Sequence, residues 1–165
     1  VSLAINDAAL QKQIEPGTPS PRARLEMIRA ITDAGFSCNV MVAPVIPFLT
    51  DSTSHLDGLF EALSEAGATS VTVFPMHLRG STRGWFMNWL AQEHPALIRR
   101  YRELYGRGAY VTPEYKRWLA SRVEPLVERH GLGGRSEHRD VSAAGSEPRE
   151  APRELVGAGA ALTLF

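Results

Sequence analysis

Apolar residues follow two different rhythms along this chain, and the change between them divides it. In the first part, short unbroken apolar runs alternate with stretches whose apolar residues recur every three or four positions. "VSLAI" at the start, Val40-Met41-Val42-Ala43, and "SVTVF" (70–74) read as strands. Between them, Leu25, Ile28 and Ile31, with Met27 and Ala34, make one helical face, and Leu56, Leu59, Phe60 and Leu63 make a second. Ser20 before Pro21 is a helix start, because a serine hydroxyl caps free N–H groups and proline needs none at the first helical position. Gly35 and Gly67 are helix stops. The segments "AITDAG" (30–35) and "ALSEAG" (62–67) repeat one pattern, each followed by a strand. Strand, helix, strand, helix, strand with short connections predicts a parallel α/β sheet, open or curved into a barrel. The continuous Val40–Ala43 run predicts a strand covered on both faces.

Beyond Arg79 the strand rhythm stops. "WFMNWLAQEHPALIRRYRELYG" and "TPEYKRWLASRVEPLVERHGL" predict helices only, with Trp85, Phe86 and Trp89, then Leu97, Tyr101 and Leu104, then Trp118, Leu119, Val123 and Leu126 as buried clusters. Pro125 is expected to kink the last helix. From about Gly133 the chain turns polar and rich in Gly, Ser and Pro, which predicts a disordered tail ending in the apolar peptide "ALTLF". Three regions result: 1–80, 81–132 and 133–165.

Candidate chemistry follows from this layout, since ligands of parallel α/β sheets sit at the C-terminal ends of the strands. The first exit carries Ser2, Asn6 and Asp7, the second "APVIPFLTD" (43–51), and the third "PMHLRGSTR" (75–83). A turn made only to reverse the chain uses Gly, Asn or Asp. The second exit instead has Pro44 and Pro47 framing Val45 and Ile46, which predicts a rigid, dry wall whose backbone groups at Ala43, Pro44, Val45 and Ile46 can hydrogen-bond a flat ligand. Packing of Val45 and Ile46 beneath the helical part is the alternative. His77 is a candidate acid, base or ligand, or a structural residue of the third exit. Arg22 and Arg24 oppose the dipole at the start of their helix, which fits either a bound carboxylate or phosphate or a solvated pair.

Composition narrows the classes. The 165 residues carry 18 basic and 18 acidic side chains, so net charge argues for neither a nucleic-acid nor a membrane partner. Basic residues nonetheless crowd the middle, from Arg79 and Arg83 through Arg99, Arg100, Arg102 and Arg107 to Lys116, Arg117 and Arg122, as a solvated helical face or a phosphate-binding surface. No run reaches the ~20 apolar residues of a membrane span and no secretory pattern opens the chain, which predicts a cytoplasmic protein. A lone cysteine, Cys38, excludes an internal disulfide and any Cys-based metal site made by this chain alone. No Gly-rich phosphate loop, HExxH, nucleophile elbow or paired-carboxylate spacing occurs. Opening on Val1 in mid-strand, the sequence reads as the C-terminal part of something larger.

"EPGTPSPRARLEMIRAITDAGFSCNVMVAPVIPFLTD" together with "EAGATSVTVFPMHLR" resembles the C-terminal half of the radical S-adenosylmethionine proteins related to spore photoproduct lyase, and within them the actinobacterial Rv2578c-type subgroup. The helical part resembles that subgroup too. The likeness runs from Val1 to about Leu132, and "VAPVIPxLTD" is its most specific piece, with Phe48 standing where glycine is expected. The resemblance implies the C-terminal half of a partial (βα)6 TIM-like barrel followed by a helical cap. It implies a four-iron, four-sulfur cluster and S-adenosylmethionine as cofactors, the cluster being held by a CxxxCxxC loop that this chain lacks, so that Cys38 has no ligand role. It further implies Ser2 near the ribose, Arg22 or Arg24 at the cofactor carboxylate, and residues 43–46 and 74–77, His77 included, along the adenine. Electron transfer into the sulfonium yields a 5′-deoxyadenosyl radical, here in an enzyme related to nucleic-acid repair. The implied partner is the missing N-terminal half of the barrel, without which the chain is inactive.

"ALTLF" (161–165) resembles the QLxLF peptide that docks bacterial proteins on the DNA sliding clamp, with Ala161 in place of the glutamine. The rival readings are therefore an adaptor working through that peptide, and a plain βα fragment holding a phosphate or small acid through Arg22 and Arg24.

Overall fold

The computed structural model describes residues 1–134. The tail from 135 onward, with the peptide at 161–165, lies outside the described residues. Helix α1 (Ala8–Ile14) is followed by α2 (Pro21–Asp33), β1 (Asn39–Val45), α3 (Thr53–Glu65), β2 (Ser70–Pro75), α4 (Ser81–Glu93), a 3-10 turn (Pro95–Leu97), α5 (Ile98–Tyr105) and α6 (Pro113–Arg129).

Local signals account for most of these boundaries. The Ser20 hydroxyl accepts from Ala23 N–H ahead of Pro21, and Ser52 does the same for His55 N–H at the start of α3. Gly35 and Gly67 end their helices at φ 84°. Gly67 is required twice over, because a Cβ there would also lie 2.7 Å from Thr32 Oγ1. Thr32 Oγ1 in turn donates to the Ala66 carbonyl, so the ends of the two sequence repeats touch. Ile28 of α2 and Leu56, Leu59, Phe60 and Leu63 of α3 are fully buried beside Val40, Val42 and Val45. Each such side chain contributes about 1.5–3 kcal/mol.

The sheet corrects the predicted half-barrel. Strands β1 and β2 are parallel, with Val40 opposite Val71 and Val42 opposite Val73, and they form a two-stranded sheet within a largely helical domain. The opening segment contributes one parallel bridge, Ser2 to Met41, and then leaves the ladder. Leu3, Ala4 and Ile5 are buried, but Asp7 caps the unforeseen helix α1 by accepting from Ala9 and Leu10 N–H. On the far side of β2 the chain returns antiparallel, with Gly133 bridging Ser70 and Leu132 C=O accepting from Val71 N–H. That closure occupies part of an edge on which a further parallel strand would have to pair.

Coverage of β1 is also one-sided. Val40 and Val42 are buried while Asn39 and Met41 are exposed, and Asn39 Nδ2 donates to Ser70 Oγ and Thr72 Oγ1. The unbroken apolar run is thus an ordinary alternating strand with a methionine on its open face.

The helical part packs on the sheet part. Helix α6 lies against α3 and β2, with Ser64 Oγ donating to the His130 carbonyl and Asp57 taking both His130 and Arg129. Phe86, Tyr101, Leu119 and Leu126 are buried as expected, and Leu90 and Tyr105 are buried with them. Trp85 and Trp118 are not, being 48% and 38% exposed. Pro125 lies inside α6, which runs on to Arg129.

Candidate functional site

The second strand exit is closed by its own loop and by three tyrosines. Ile46 N–H donates to Thr50 Oγ1 at 2.8 Å, and the Ile46 carbonyl accepts from Leu49 and Thr50 N–H. The Val45 carbonyl accepts from Met76 N–H, which ties the second exit to the third. Above them, Tyr101 of α5 donates to the Pro47 carbonyl at 2.5 Å, Tyr105 of α5 to the Met76 carbonyl at 2.8 Å, and Tyr115 of α6 to Asp51 Oδ2 at 2.7 Å. Burial pushes all three phenols above their ordinary range, and for Tyr115 the hydrogen bond to Asp51 adds to it, so each remains a donor.

This geometry corrects the predicted wall. Val45 and Ile46 have no exposed surface, and the Val45 carbonyl and both backbone groups of Ile46 are engaged within the protein. Ala43 and Pro44 are half-buried at an irregularity of β1 between Val42 and Val45. Packing beneath the helices, the plainer alternative, is what these side chains do.

The other candidates are scattered. Ser2 lies beside Met41 in mid-strand, and its carbonyl accepts from Arg24 Nη1. Arg24 is a structural clamp, with only 12% of its side chain exposed and donors going to Ser2, Thr18, Pro19 and the Glu15 carboxylate. Arg22 is solvated and paired with Glu26 one turn on. His77 is exposed, with its ring edge on Tyr110 at 4.7 Å. It lines a cavity of about 480 Å³ between β2 and α6 whose walls are mainly Val71, Val73, Phe74, Leu119, Ala120 and Val123, with Lys116 and Glu124 as charged members.

A second cavity, about 440 Å³, lies against the loop that follows β1. Phe48, Asp51 and Ser52 line it from that loop, Arg100 from α5, and Tyr115, Trp118 and Arg122 from α6. Phe48 holds φ at 65°, the left-handed region that costs a side chain roughly 1–2 kcal/mol. Its ring is kept there by edge contacts to Tyr101 and Tyr115 and by the Arg100 guanidinium 3.8 Å from its centre.

His55, one turn into α3, belongs to the same end of the sheet. Its Nε2 is buried with no partner among the described residues. Burial lowers its proton affinity below the ordinary 6.5, and the neighbouring Asp7 and Asp51 carboxylates oppose that only in part. A neutral imidazole close enough to feel both carboxylates is a potential proton acceptor. Because the unfolded chain takes up this proton at a higher pH than the folded one, His55 favours folding above about pH 6.5 and disfavours it progressively below. Urea midpoints measured at pH 8 and pH 5 are expected to fall less on acidification in His55→Gln than in the parent. An equal fall in both would show that His55 is not held neutral.

In the sequence His55 and Tyr115 carry no candidate signal, Asp51 only closes the second exit, and Arg100 and Arg122 belong to a basic run. Asp51 and His55 are four residues apart across a helix start, a visible spacing. The convergence of α5 and α6 on that loop has no local signal.

Among the described residues no helix is long and apolar enough to cross a membrane. The chain is 58% identical over 139 residues to three mycobacterial proteins described as uncharacterized: Mb2609c of Mycobacterium bovis, and MT2655 and Rv2578c of Mycobacterium tuberculosis. The match covers 84% of this chain and 40% of each relative, so the chain spans less than half the length of the curated relatives it matches. Uncharacterized protein ORF301 of Acidianus two-tailed virus is 32% identical over 83 residues, 48% of this chain and 28% of its own. No family model and no solved structure matches.

Proposed function

We propose that this chain is the C-terminal portion of a radical S-adenosylmethionine enzyme related to spore photoproduct lyase. The reading rests on the sequence likeness from Val1 to about Leu132. The structural observation that supports it is the backbone of Phe48. That residue stands where the family pattern has glycine, and its φ of 65° is a conformation glycine adopts without cost.

The described residues of this chain do not fit an iron–sulfur cluster. Cys38 is buried, and the described residues hold no group of three His, Cys, Asp or Glu able to bind a metal ion. Cluster ligands on this reading belong to the part of the longer protein that this chain does not span. Nor does Arg24 fit a clamp for the cofactor carboxylate, since its donors are already engaged. What this chain supplies at the strand end is packing: Val45 and Ile46 are buried, and Tyr101, Tyr105 and Tyr115 tie the second and third strand exits to α5 and α6.

The test uses a full-length mycobacterial relative and a chimera in which this chain replaces the matching segment. After anaerobic reconstitution, both are expected to bind about four irons per chain. Both are also expected to release 5′-deoxyadenosine from S-adenosylmethionine under a low-potential reductant. A full-length protein that takes up no cluster would end this reading.

A further inference from the structure

We propose that the cavity between the β1–α3 loop and helices α5 and α6 binds a phosphate group carried on a flat, ring-bearing ligand. The inference is independent of the radical reading. Five of the twelve arginines among the described residues meet a carboxylate: Arg22 meets Glu26, Arg24 meets Glu15, Arg99 meets Glu103, Arg117 meets Glu114 and Arg129 meets Asp57. Arg100 and Arg122 meet none among the described residues, although both line the same pocket of about 440 Å³. Each is instead laid over an aromatic ring, Arg100 at 3.8 Å from the centre of Phe48 and Arg122 at 4.3 Å from that of Trp118. Stacking of this kind fixes the plane of a guanidinium while leaving its edge N–H groups free to donate.

One further observation favours an anion there. Arg122 Nη1 donates to Thr53 Oγ1 at 2.7 Å and its Nε is buried, so its remaining terminal N–H groups are the donors it can offer to the pocket. The first turn of α3 also opens on this loop, and its dipole favours negative charge there. Asp51 is the carboxylate of the lining, and its Oδ2 is capped by the Tyr115 hydroxyl; against two guanidinium groups it leaves the pocket net positive.

Size and wall chemistry choose the ligand. A pocket of this volume is far larger than a bare anion and falls within the range of small-molecule sites. Paired guanidinium forks suit the several oxygens of a phosphoryl group, and the aromatic lining of Phe48, Tyr115 and Trp118 offers apolar surface beside them for a planar ring. A free nucleotide and a nucleic-acid strand both present that combination.

Calorimetric titration of the full chain with inorganic phosphate, adenosine, adenosine monophosphate and a short oligothymidylate tests it. Adenosine monophosphate, the oligothymidylate or both are expected to bind more tightly than phosphate or adenosine alone. Arg100→Gln is expected to weaken that binding about tenfold, the loss of one charge-assisted donor set. Arg100 is exposed, so this variant is expected to fold. Arg99→Gln, one residue away on α5 and outside the cavity, is expected to change little. Binding of the monophosphate assigns a free nucleotide, and binding of the oligothymidylate alone assigns a strand. Absence of binding by every phosphate probe at millimolar concentration, or equal weakening by Arg99→Gln and Arg100→Gln, would overturn the proposal.

Discussion

Replacing Tyr101 by alanine is expected to destabilise the protein by about 3–5 kcal/mol, the range for removing a large aromatic from a packed core. Tyr101 has no exposed surface. Its ring meets Phe48, Phe86 and Tyr105 at centroid distances of 5.6, 5.4 and 5.8 Å, and its hydroxyl donates to the Pro47 carbonyl. Truncation opens a cavity among those rings and strips a buried carbonyl of its donor. Tyr101→Phe separates the two losses, since it removes only the hydroxyl, and its cost is expected to be about 1–3 kcal/mol. Domains of this kind are held by about 5–15 kcal/mol in total, so the alanine variant loses a large share of its stability. Urea unfolding of the three proteins measures both steps. A cost below about 1 kcal/mol for Tyr101→Ala would mean that α5 is not docked on the strand exits.

Tyr115→Phe is expected to cost about 1.5–3 kcal/mol, because the hydroxyl is the donor to a buried carboxylate oxygen. Asp51 is 5% exposed and Tyr115 8%, and their contact at 2.7 Å joins the β1–α3 loop to α6. Asp51→Asn keeps an acceptor for the same hydroxyl while removing the charge that suffers when the hydroxyl is lost. The cost of Tyr115→Phe is therefore expected to shrink by about 0.5–1.5 kcal/mol in the Asp51→Asn background. Strict additivity of the two substitutions would show that the pair is not coupled.

How much was readable in advance depended on the range of the interaction concerned. Helices α2 and α3 were legible from Ser20-Pro21, from their four-residue apolar spacing and from Gly35 and Gly67, because caps and stops act within a turn. The strand cores at Val40–Val42 and Val71–Val73 were legible too. "VSLAI" was not, since the same apolar run serves as strand or as buried irregular chain according to what lies beside it. After one bridge at Ser2 it leaves the ladder, and Asp7 starts a helix instead. Arg24 misled for a related reason: Glu15, nine residues earlier, reaches it only because of how the intervening turn folds back.

The candidate site was legible only in its loop. Pro44 to Asp51 drew notice as a stiff exit, and the unusual residue within it, Phe48, is the one with the left-handed backbone. Its partners Arg100, Tyr115, Trp118 and Arg122 come from helices more than fifty residues downstream.

Sequence alone determined where α2 and α3 start and stop, that β1 and β2 are strands and that β1 ends in a rigid corner, because dihedral preferences, caps and periodicity operate over a few residues. Tertiary structure decided the rest. It set the size of the sheet, the burial of Val45 and Ile46, the exposure of Trp118 and the pairing of Arg24. Among the described residues it also left Arg100 and Arg122 without carboxylates. Each of these depends on which distant surface happens to lie opposite, and no local preference carries that information.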